Sequence, residues 1–156
     1  MVSSSNMTPN ELPAIELYSH VDGEDMPVVW LKEMAEQALP HCLESKGTED
    51  PLLSSFEEIE VSLVSDETIA QVHWEFMNDP TPTDVITFHH GEILVSAETA
   101  RREGPTHGHT AQEEALLYII HGMLHLNGHT DLVEPEREAM HRCQEKILRQ
   151  VIAGGG

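Results

Sequence analysis

The run from Thr110 to Gly128 constrains the fold more than any other part of the chain. Thr110 and Glu113 form a T-x-x-E capping box. Behind it, "ALLYIIHGMLHL" places Ala115, Leu116, Ile119, Ile120, Met123 and Leu124 on one broad apolar face. Gly128 follows, a residue able to take the left-handed conformation that ends helices. A helix with such a face has to be covered, so the spacing predicts a central buried helix around which the other elements pack.

Those elements are legible at lower resolution. "ELPAIELYSH" alternates as a first strand, and "PVVWLKEMAEQALPHCLES" carries Val28, Leu31, Met34, Ala35 and Ala38 at helical spacing, ending or bending near Pro40. In "FEEIEVSLVS", Ile59, Val61 and Leu63 alternate with Glu58, Glu60 and Ser62, the pattern of a half-buried strand. Ser65 then opens a short helix through "SDETIAQVHWEFM", which "NDPTPT" stops; Trp74, like Trp30, reads as core.

"DVITF" and "EILVS" are two apolar runs joined by "HHG", a spacing suited to paired neighbouring strands. A polar segment, "RREGPTHGHT", leads to the central helix, and a last helix starts at Pro135 with acids early and Lys146 and Arg149 late. Strands and helices alternate around an adjacent strand pair, which is the α+β class. At 156 residues the expectation is a loose segment over 1–10, one domain over 11–152 and a glycine-rich tail over 153–156.

Net charge narrows the partners. The value of −20 makes non-specific attraction to a polyanion unfavourable over most of the surface. Residues 1 to 100 hold only Lys32 and Lys46, so contact with nucleic acid is expected from the last third of the chain or through a metal. Cys42 and Cys143 form no C-x-x-C pair and read as buried free thiols. No leader-like or membrane-length apolar stretch is present, which points to a cytoplasmic protein.

Chemistry concentrates at "HGMLHLNGHTD". His121 and His125 stand one helical turn apart, roughly 6 Å of rise, where two imidazoles can share an ion. His129 on a straight helix would sit roughly 12 Å along the axis from His121, too far for donors about 2 Å from one zinc. A fold-back at Gly128 would instead return Asp131 as third ligand, with His129 the substitute. Two imidazoles and a carboxylate leave a fourth position for water, the layout of a catalytic zinc site. The spacing also resembles the long zinc-protease motif, which would make a peptidase, but Gly122 stands where that motif has its catalytic Glu.

"HGMLHLNGHTD" further resembles the H-G-x-L-H-L-x-G-x-D-H signature of the YbeY family, and "PTDVITFHHGEILVS" is similar to that family's P-T-D-V-L-S-F run followed by G-D-I. The similarity spans roughly residues 57 to 148. It implies a mixed, roughly four-stranded sheet with packed helices and a metal-bearing central helix. It also implies an endoribonuclease of ribosomal RNA maturation and ribosome biogenesis, in which zinc-bound water attacks a phosphodiester. RNA and ribosomal particles or proteins would be its partners.

Two departures follow from the resemblance. The family's third ligand is a histidine where this chain has Asp131, which lowers the charge of the zinc site and favours harder metals. Met77 stands where the family places an arginine thought to matter for RNA cleavage, and a thioether cannot replace that fork of donors. Arg101 or Arg102 would have to substitute. A binding or assembly factor with a structural metal is the competing reading. No general base is identified. Asp84 reads as a turn cap, His89 and His90 as solvated turn residues, and His107 and His109, in "PTHGHT", are assigned no role.

Overall fold

A computed structural model describes residues 12–78 and 83–155, so the loose segment expected over 1–10 lies outside the described residues. Four strands, β1 (Ala14–Ser19), β2 (Glu58–Val64), β3 (Val85–Phe88) and β4 (Glu92–Ser96), form one mixed sheet in the order β1-β2-β4-β3. β1, β2 and β4 run parallel, and β3 closes the edge antiparallel to β4 through the His89–Gly91 turn. Gly91 has φ 99°, which this turn requires.

Five α-helices cover the sheet: α1 (Val28–Glu44), α2 (Asp66–Met77), α3 (Ala97–Glu103), α4 (Ala111–Leu126) and α5 (Glu136–Gly155). The main core lies between the sheet and α1, α3, α4 and α5, with Ile59, Val61, Leu63 and Ile93 meeting Leu116, Ile119 and Ile120. A smaller cluster of Ile69, Val64, Ile86 and Leu94 seats α2 on the opposite face.

α4 is the buried central helix. Its capping box is complete, with Thr110 Oγ1 accepting from Glu113 N and Glu113 Oε1 from Thr110 N. α1 continues four residues past Pro40 to Glu44: the proline removes one i→i−4 bond and crowds the Glu36 carbonyl, a cost that burial of Leu39 and Cys42 on either side offsets.

Three expectations are corrected. Trp74 is not core: it is 52% exposed. Five residues beyond Ile69 it is turned about 140° from the buried stripe of α2. α3 interrupts what reads as polar chain, capped by Ser96, whose Oγ accepts from Thr99 N. Its small Ala97 and Ala100 are fully buried. Cys143 is only partly buried, with Sγ 3.0 Å from Ser45 Oγ, whereas Cys42 is buried and burial pushes its thiol pKa up.

Candidate metal centre

The C-terminus of α4 sets the geometry of the site. His129 N donates to Leu124 O and Gly128 N to His125 O, the paired bonds of a Schellman cap, with Gly128 at φ 96°. The loop after α1 locks this turn from outside. Gly47 N and Glu49 N donate to Asn127 O and Gly128 O, and Asn127 Nδ2 donates to the carbonyls of Cys42 and Ser45. A Cβ on Gly128 would stand 2.3 Å from Glu49 O, so glycine is required by both conformation and space.

This fold-back brings Asp131 to the two helical histidines. His121 Nε2 and His125 Nε2 are 3.0 Å apart, and Asp131 Oδ2 lies 3.3 Å from the first and 3.5 Å from the second. Donors about 2.0 Å from one tetrahedral ion stand about 3.3 Å from each other, so the three atoms already have the spacing of a shared zinc-type ion.

The outer nitrogens fix the rings. His121 Nδ1 donates to Gln144 Oε1 at 2.6 Å and His125 Nδ1 to the His129 carbonyl at 3.1 Å. Both Nε2 atoms therefore turn lone pairs inward, beside a carboxylate oxygen. Such a convergence is stable only around positive charge, a proton or a metal cation, and the residues fit the latter. His121 shows the pull: burial lowers its pKa, yet hydrogen bonds with Asp131 and Gln144 raise it in net. Burial and then His121 lower that of His125. The hydrogen bond from His121 holds the Asp131 carboxyl at about 2.

His129 does not join them. Its Nε2 faces the Ser45 carbonyl and hydroxyl, each at 3.1 Å, and only its main-chain oxygen serves the site. Gly122 packs α4 onto the sheet, where a Cβ would meet Ile93 and Thr87 at 2.9–3.0 Å. The glutamate of a zinc protease has no room there.

His121 and Asp131 stand on the divide between two cavities. The larger, about 660 Å³, is also lined by Asp84, Arg102, Glu114 and Tyr118. The smaller, about 440 Å³, is lined by His73, Met77, His89 and His125 as well.

The family model described as endoribonuclease YbeY matches residues 21–152. The chain belongs to the YbeY family. An endoribonuclease YbeY of Heliobacterium modesticaldum is 36% identical over 139 residues, covering 74% of this chain and 80% of that one. One from Halalkalibacterium halodurans is 27% identical over 86% and 92% of the two chains. A solution structure from Thermotoga maritima shares the fold with a TM-score of 0.59, 24% identity and 90% coverage of both chains.

Within this YbeY-family fold Met77 and Asp131, where the resemblance leads one to expect an arginine and a histidine, have definite places. Met77 ends α2 and is 57% exposed on the wall of the smaller cavity, where no Arg or Lys stands among the described residues. Arg102 faces the larger cavity, while Arg101 is committed elsewhere, with Nε and Nη2 on Asp25 at 2.7 and 3.0 Å. Asp84 Oδ1 accepts from Val85 N, the turn cap expected of it, and also lines both cavities.

Gln144 was not legible as a site residue. It comes from another helix, and no local spacing ties it to His121. His107 and His109, given no role in sequence, converge on buried Glu114 with Nδ1–oxygen distances of 2.9 and 2.7 Å. They lie in and just after a 3₁₀ turn, Gly104–His107, rather than in a flexible loop.

Proposed function

We propose that this chain is a metal-dependent endoribonuclease of ribosomal RNA maturation, with His121, His125 and Asp131 holding one divalent ion, Zn²⁺ in the first instance. The observation that carries the reading is the convergence of two inward imidazole lone pairs and an ionised carboxylate in a chain of the YbeY family. The bound ion would supply Lewis acidity at a phosphoryl oxygen and lower the pKa of water near neutrality.

The chain's own residues do the rest. Gln144 and the His129 carbonyl hold each imidazole in the tautomer that presents Nε2. Asp131 stays ionised across the physiological range. Asp84, Glu103, Glu114 and Glu145 make the larger cavity acidic, so a phosphodiester needs positive charge to settle there. Arg102 is the cation on that cavity's wall among the described residues, with Nη1 2.9 Å from Asp66 and Nη2 3.2 Å from Thr99 Oγ1.

Incubation of metal-loaded protein with structured ribosomal RNA, with and without chelator, tests this. Cleavage that chelator stops and His121→Ala abolishes is the expected result. Absence of cleavage at confirmed metal occupancy overturns it. The exposed Met77 favours a second reading, a ribosome-associated assembly factor, which predicts co-sedimentation with ribosomal particles without cleavage.

A further inference from the structure

Glu114 is 1% exposed, in the first turn of α4, and a carboxylate removed from water needs compensating charge or a full set of donors. No Lys or Arg supplies it among the described residues. Arg102 is engaged with Asp66 and Arg101 with Asp25. Instead, two imidazoles reach Glu114, alongside a hydrogen bond with the Tyr118 side chain: His109 Nδ1 lies 2.7 Å from Oε1 and His107 Nδ1 2.9 Å from Oε2.

The backbone arranges this approach. His107 closes the 3₁₀ turn, Gly108 takes φ 76° and reverses the chain, and His109 directly precedes the Thr110 cap. The two rings stand edge to face with centroids 6.2 Å apart. One donor atom from each of His107, His109 and Glu114 lies within 4.8 Å of the others. His109 is largely covered while His107 is half exposed, so the cluster is held by the fold yet open to solvent. Glu114 and His107 also line the larger cavity, on whose wall His121 and Asp131 stand.

We propose that His107, His109 and Glu114 form a second divalent-cation site, distinct from the His121–His125–Asp131 centre. Two imidazoles and one carboxylate select a borderline ion such as Zn²⁺ or Co²⁺ over Mg²⁺ or Ca²⁺, which prefer all-oxygen shells. On binding, the cation replaces the two Nδ1 protons as the positive partner of Glu114, and the open side next to His107 admits water as a further ligand. It would also offset the acidic wall formed by Asp84, Glu103 and Glu145.

Zinc stoichiometry of the full chain, measured by calorimetry and by elemental analysis after dialysis, is the test. The wild-type chain is expected to bind two equivalents. His107→Ala/His109→Ala and His121→Ala/His125→Ala should each bind one, and the fourfold variant none. Co²⁺ added to His121→Ala/His125→Ala should give a visible d–d band that the fourfold variant lacks.

Single His107→Ala, at a half-exposed position that leaves the packing of Glu114 in place, should weaken only the second site, by at least tenfold. An unchanged stoichiometry in His107→Ala/His109→Ala, or complete loss of zinc in His121→Ala/His125→Ala with its circular dichroism intact, overturns the second site. Failure of the first centre reads differently, as wild-type stoichiometry in His121→Ala/His125→Ala.

Discussion

Gln144 Oε1 accepts from His121 Nδ1 at 2.6 Å, linking α5 to α4 and fixing the orientation of an imidazole of the proposed metal centre. Gln144 is 9% exposed, so the bond is shielded from competing water. Removing such an outer partner typically weakens metal binding about 10–100-fold. Gln144→Ala is therefore expected to raise the zinc Kd by that factor, measured by chelator competition, with helical content unchanged. A Kd equal to that of wild type would show that packing alone orients the ring.

Asp131 makes a second prediction. Asp131→Ala leaves two imidazoles, and zinc affinity should fall more than about 100-fold, since two-donor sites lack the closed geometry that holds the ion. Asp131→His restores three donors with softer chemistry, so it should keep zinc while losing relative affinity for Mn²⁺, a preference that carboxylate oxygen favours. Competition between the two metals, read by elemental analysis, checks both variants.

What could be read in advance depended on whether its cause was local. The His121–His125 pair, the Thr110 cap and the Gly128 stop are each set within a few residues, and all three have their expected form. The return of Asp131 toward the two histidines follows from the same glycine turn, and its carboxylate lies 3.3 and 3.5 Å from their Nε2 atoms. Trp74 reads as core from its apolar character alone, but it stands about 140° from the buried Ile69 and faces solvent.

α3 is hidden because its buried side is marked only by the small Ala97 and Ala100 and the polar Thr99, although the Ser96 cap and Glu98 in the first turn are readable signals. Gln144 depends on tertiary approach, whereas the Glu114 cluster is local but irregular. His107 and His109 stand seven and five residues before Glu114 across a left-handed glycine, a relation no periodicity announces.

Gly122 carries a third prediction. A methyl group there would meet Ile93 Cδ1 at 2.9 Å and Thr87 Oγ1 at 3.0 Å, forcing α4 away from β3 and β4. Overpacking of this kind costs about 1–3 kcal/mol, partly offset by the roughly 1 kcal/mol that alanine gains over glycine in a helix. Gly122→Ala should lower Tm by a few degrees and, by moving its neighbour His121, weaken zinc binding. An unchanged Tm and Kd would mean that the sheet yields freely at Ile93.

Asp66 ties α2 to α3 and gives the fold a calculable response to acid. Its Oδ1 accepts from Ser96 Oγ at 2.6 Å and Thr99 Oγ1 at 2.8 Å, and its Oδ2 from Arg102 Nη1 at 2.9 Å. Burial acts to raise its pKa, but the bonds from Ser96, Arg102 and Thr99 outweigh burial and leave it below the ordinary value of 3.8. A folded-state pKa below the unfolded one means that the stabilisation is complete above the unfolded value and is lost as pH falls through the folded one.

Charge-assisted hydrogen bonds contribute about 1.5–3 kcal/mol, and the exposed Arg102 pair adds little. Asp66→Asn should therefore be about 2 kcal/mol less stable than wild type in urea at pH 7. That gap should stay constant down to about pH 5, begin to narrow as pH falls through the unfolded value of about 4, and close only below the lower folded-state value. A gap that persists undiminished at pH 3 would assign the effect of the substitution to geometry at the α2 terminus and not to the charge of Asp66.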